Sequence, residues 1–71
     1  MANYSSKHYN EFASLIEDEF DIDRKSTTAE MCLRLFIPDN SKFDADRFLK
    51  ACGLESDYHL QSLAARMYIN K

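Results

Sequence analysis

Apolar side chains recur at helical intervals along nearly the whole of this 71-residue chain. Tyr9, Phe12, Ala13, Ile16 and Phe20 are spaced by threes and fours, which stacks them on one face of an α-helix. That spacing predicts a first helix over Ser6–Glu19, N-capped by Ser5, with Tyr4 placed to staple onto Tyr9. Its last residues, Glu17, Asp18 and Glu19, put negative charge where the helix dipole is already negative. A second helix is predicted over Thr28–Phe36. Thr27 and Glu30 have the spacing of a capping box, Met31, Cys32, Leu35 and Phe36 form the stripe, and Pro38 stops the helix.

The clearest helix ends lie in FDADRFLKACGL, residues 43–54. Asp44 is an N-cap, with Phe43 and Phe48 at the two staple positions around it. Asp46 opens the helix and Lys50 closes it, matching the dipole and spaced for an i,i+4 pair. Gly53 stands where a left-handed C′ residue is needed, and Leu49 and Leu54 are spaced for the apolar contact of a Schellman motif. A fourth helix is predicted over Asp57–Ile69, with Ser56 as N-cap. Its stripe is Leu60, Leu63, Ala64 and Met67, and Tyr58, Tyr68 and Ile69 lie off it.

One Gly and one Pro leave little turn chemistry for a multi-stranded sheet. The expected fold is therefore all-α: a single domain over residues 1–71, a small bundle of three main helices plus one short one. The expected core is Tyr9, Phe12, Ile16, Phe20, Met31, Leu35, Phe36, Phe43, Phe48, Leu49, Leu60, Leu63 and Met67. A core this small supplies about 3–5 kcal/mol of net stability, so a dimer or a partner would help.

Charge adds an asymmetry. The net charge is −3, but residues 1–23 carry six acids against one lysine, whereas residues 24–71 carry eight bases against six acids. An acidic whole is a poor match for a nucleic-acid backbone. The longest strictly apolar run is Leu35-Phe36-Ile37, so no membrane span is expected. The opening MANYSSKHYNEF has no apolar signal-peptide core, which leads to the expectation of a cytoplasmic protein with reduced thiols.

The run FIPDNSKFDADRFLKACGL, residues 36–54, resembles a C-terminal signature of many small, uncharacterised phage and prophage proteins. The matching positions are Phe36, Asp39, Asn40, Phe43, Asp44, Phe48, Ala51, Cys52, Gly53 and Leu54. KHYNEFASLI, residues 7–16, is similar to the first helix of such proteins. The likeness covers roughly residues 7–54. Ser41 stands where the family usually has proline, and the chain continues past the glycine. The resemblance implies a small helical protein inside a bacterial host and implies no activity.

Glu19, Asp21, Asp23 and Glu30 have the spacing of positions 1, 3, 5 and 12 of a calcium loop. Arg24 occupies the position that needs glycine, which argues for a solvated or partner-binding acidic segment instead. Cys32 and Cys52 have no CxxC or histidine at ligand spacing and read as buried apolar side chains. His8 and His59 lack a nucleophile and an orienting partner at any legible spacing. No catalytic residue, metal or cofactor is expected, and the chain reads as a non-enzyme. The link from Ile37 to Phe43 is longer than the turn of about three or four residues usual in a helix-turn-helix, which disfavours that motif.

Two functions follow as expectations. The first is a phage-type accessory protein that binds a host or phage protein, including inhibition of a host defence complex of the anti-CRISPR kind. Its contact residues would be the acids Glu17, Asp18, Glu19, Asp21 and Asp23 with Tyr4, Tyr58 and Tyr68, tyrosine being favoured at interfaces. The second is a small DNA-associated regulator using Arg34, Lys42, Arg47 and Lys50. A homodimer through the fourth helix is compatible with either.

Overall fold

In a computed structural model that describes residues 2–69, the chain forms four α-helices: α1, Ser6–Glu17; α2, Ile22–Asp39; α3, Ala45–Ala51; and α4, Tyr58–Ile69. Residues 1, 70 and 71 of the expected domain lie outside the described residues. The architecture is the expected one, three main helices of 12, 18 and 12 residues and a short one of seven. Around the bundle the order is α1, α2, α4, α3; α1 and α4 lie diagonally and do not touch.

Directions follow from tertiary contacts. The Asp39 carboxylate, at the end of α2, accepts from the Asn3 and Tyr4 N–H groups ahead of α1, so α1 and α2 are antiparallel. Those N–H donors hold the Asp39 carboxyl below its ordinary pKa. Ser26 Oγ donates to Asp57 Oδ2 at 2.8 Å near the starts of α2 and α4, and the Tyr68 hydroxyl donates to the Phe43 carbonyl beyond the end of α2. Hence α2 and α4 run parallel.

The ends of α3 are as expected. Asp44 accepts from the Arg47 N–H, and the Phe43 and Phe48 rings pack at 5.5 Å. Gly53 has φ +78°; its N–H donates to Lys50 O and the Leu54 N–H to Leu49 O, the paired bonds of a Schellman motif. Asp46 and Lys50 form no ion pair. Asn40 holds the α2–α3 link: its side chain accepts from the Lys42 N–H and donates to the Tyr9 hydroxyl. The run over residues 36–54 is thus built largely of residues that cap, link and fill the fold. Gly53→Ala is expected to cost about 1–2 kcal/mol from left-handed backbone strain. An added Cβ would also meet Lys25 Nζ at 3.0 Å. Urea titration measures the loss as a lowered midpoint with unchanged slope.

Helix α2 departs from expectation at both ends. It begins at Ile22, because the Asp21 side chain accepts from the N–H groups of Asp23 and Arg24, and Asp23 adds negative charge to the first turn. Thr27 and Glu30 are therefore helix interior rather than a capping box. Pro38 is inside the last turn, where the helix is nearly finished and the lost N–H forfeits one bond to an exposed carbonyl. With these ends, the buried face is Ala29, Cys32, Leu33, Phe36 and Ile37. Met31 and Leu35, expected in the core, are exposed on the opposite side, as is Phe20 beyond α1; Phe12 lies at the core edge. Helix α1 stops at Glu17, two residues early. Its start has an unforeseen device: His8 Nδ1 accepts from the Ser5 N–H at 3.0 Å, the reciprocal half of a capping box. Helix α4 is capped by Asp57, which accepts from the Leu60 N–H, and not by Ser56.

Candidate protein-binding surface

Residues 18–21 are all that separates α1 from α2, and the expected acidic contact segment sits there. The turn is tightly held. The Asp18 N–H donates to Ser14 O, the Glu19 N–H to Ile16 O, and the Asp21 N–H to Glu19 Oε1 at 3.1 Å. Asp21 and Asp23 are committed to starting α2, while Glu17 and Asp18 are exposed and Glu19 is half-buried. A four-residue turn cannot wrap a cation as a twelve-residue calcium loop does. Glu30, the twelfth position, lies two turns into α2 and pairs with Arg34 at 3.4 Å and His59 at 3.2 Å. Its pKa is lowered chiefly by the hydrogen bond from His59. Among the described residues, no group of three or more His, Cys, Asp or Glu is placed to hold a metal.

The expected tyrosines do not form one surface with the acids. Tyr58 follows Asp57, which the Ser26–Asp57 bond holds near the start of α2, at the acidic end. Tyr4 and Tyr68 lie at the other end. Tyr4 is half-buried against Phe36, with ring centroids 5.0 Å apart. The Tyr68 hydroxyl donates to Phe43 O and accepts from the Ala45 N–H at 3.3 Å, and burial raises its pKa. Both serve the fold at those contacts.

Apolar exposure adds further residues, of which Phe20, Met31 and Leu35 had been expected in the core. Phe20, inside the acidic turn, is fully exposed; Ile22 is 63% and Tyr58 79% exposed. Leu15 on α1, Met31 and Leu35 on the outer side of α2, and Ile69 are exposed as well. The basic residues are divided. Arg34 is engaged by Glu30, whereas Lys42 and Arg47 flank a groove of about 190 Å³ between α1 and α3, with Ser6 and Asn10 opposite.

Cys32 and Cys52 are free and buried. Burial raises both pKa values, Cys52 to about 12, with the neighbouring Cys32 as a further cause. The thiolate is the reactive form, so both thiols are expected to be inert to a disulfide reagent at pH 8 while the chain is folded and to react once guanidinium unfolds it. Rapid labelling of the native chain would contradict this packing.

No helix is long and apolar enough to cross a membrane among the described residues. No family model, curated protein or solved structure matches the chain.

Proposed function

We propose that this chain acts non-enzymatically by binding another protein. The observation that carries this reading is the large apolar side chains left in solvent by a domain whose core is already closed: Phe20 and Ile22 in or beside the link, Met31 and Leu35 on α2. Exposed large apolar groups mark an interaction surface, and Phe20 and Ile22 stand among carboxylates that would steer a basic partner. In its finer form the chain is a phage-type accessory protein of a bacterial cytoplasm. Its acidic end would occlude a positively charged site, such as the nucleic-acid channel of a host defence complex. This form rests on the resemblance of residues 36–54 and on the concentration of carboxylates at 17–23.

The alternative, a small DNA-associated regulator, draws on Lys42 and Arg47 beside the α1–α3 groove. Affinity capture from bacterial lysate, with and without nuclease, separates the two. A stoichiometric protein that survives nuclease and is lost when Glu17 and Asp18 are reversed to lysine supports protein binding. Capture that vanishes with nuclease and falls steeply with salt overturns it in favour of DNA. Glu17 and Asp18 are chosen because both are exposed, whereas reversing Glu19 would remove a bond that holds the turn and reversing Asp21 the cap of α2.

A further inference from the structure

We infer that Phe20 is the anchor of a docking surface formed with Ile22 and Tyr58, and that its occupant is a protein pocket with an apolar floor and a rim of lysine or arginine. The inference rests on the protein-binding reading and names its surface.

The anchor is presented rather than merely left over. Phe20 stands in a four-residue turn whose flanking N–H groups are bonded to Ser14 O, Ile16 O and Glu19 Oε1. The chain enters from the end of α1 and leaves through the Asp21 cap of α2, so the backbone on both sides is fixed. With the backbone fixed, docking has only the two side-chain torsions of the ring left to order, which suits an interface anchor. Ile22 lies two residues on, and the Ser26–Asp57 bond brings Tyr58 to the same end from α4. Two neighbouring apolar side chains and a third from a distant part of the sequence are thereby exposed at the same end of the bundle.

Charge selects the occupant. Five of the seven residues from 17 to 23 are acids, and no lysine or arginine occurs between residues 8 and 23. Glu55 adds a carboxylate close to Tyr58 in the chain. Of the first two bases that follow, Lys25 is turned toward Gly53, its Nζ 3.0 Å from where a Cβ would stand. A second copy docked end to end would face these carboxylates with its own. Phosphate-rich surfaces, whether nucleic acid or anionic lipid, are repelled in the same way. A wholly apolar partner would strip water from the carboxylates and return nothing. A pocket rimmed by cations satisfies both the ring and the acids.

The test is amide NMR on the isotopically labelled chain, titrated with a helical-hairpin leucine–lysine peptide whose two helices leave an apolar groove rimmed by lysines. Shifts confined to residues 15–26 and 55–59, weakened about thirtyfold by Phe20→Ala, support the inference. So does a loss of about tenfold, together with loss of salt dependence, in Glu17→Gln/Asp18→Asn/Glu19→Gln. Because Phe20 is fully exposed, the alanine variant should keep the parent spectrum elsewhere. Shifts at the Tyr68 end, or binding indifferent to Phe20→Ala, overturn it. So do concentration-dependent shifts at the Phe20 end without peptide, which mean a second copy. Binding of a DNA duplex or phosphatidylglycerol vesicles there overturns it likewise. If lysate capture returns a protein partner that ignores Phe20→Ala but is lost with Leu35→Asp, this anchor falls while protein binding stands.

Discussion

Phe36→Ala is expected to leave the chain unfolded at 25 °C. Phe36 is fully buried, and its ring is the hub of the aromatic core. Its centroid lies 5.0 Å from Tyr4, 4.8 Å from Tyr9, 5.7 Å from Phe12, 5.4 Å from Phe43 and 5.7 Å from Phe48. These rings come from the N-terminal segment, α1, the α2–α3 link and α3, so one side chain joins nearly every junction except that with α4. Truncating a buried phenylalanine costs about 3–5 kcal/mol through lost transfer energy and the cavity left behind. The edge-to-face contacts are lost with it. A domain of this size has only about 3–5 kcal/mol to lose. Far-UV circular dichroism should show the helical signal lost without denaturant. A variant that still unfolds cooperatively, with a loss under about 2 kcal/mol, would mean that the rings close over the gap and that Phe36 is no hub.

How much of this was legible from sequence depends on how local each determinant is. The ends of α3 were, since Asp44, Phe43, Phe48, Gly53 and Leu54 act within one stretch of chain. The ends of α2 were not. Asp21 and Thr27 are both good N-cap types, and the choice falls to the earlier one once Ser26 is tied to Asp57 and Lys25 is laid against Gly53. Those partners are some thirty residues away. The acidic end was half legible. A run of acids is visible to the eye, but its companion Tyr58 is placed by that same distant bond, and Tyr4 and Tyr68 are drawn off to the opposite end. Phe20 was misread for a simpler reason. Its spacing continues the apolar stripe of α1, but the helix stops at Glu17 and the ring never reaches the core.

The same difficulty sets the second large effect, a contrast between two leucines two residues apart. Leu33→Ala should cost about 2–5 kcal/mol, whereas Leu35→Ala should change stability by less than about 0.5 kcal/mol. Helix α2 carries three neighbouring i,i+4 pairs: Met31 with Leu35, Cys32 with Phe36, and Leu33 with Ile37. Only two adjacent pairs fit on one buried face. If Pro38 ends the helix early, Ile37 drops out and Leu33 loses its companion, so the first two pairs look like the core. With Pro38 accommodated in the last turn, Ile37 stays helical and the face rotates to the second and third pairs. The structure leaves Leu33 at 0% exposure and Leu35 at 52%. Parallel urea titrations of the two variants read the contrast directly, through their midpoints at a common slope. Equal losses would place both leucines at the margin of the core. The reverse order would restore the face predicted from periodicity and take Leu35 and Met31 out of the set of apolar groups available to a partner.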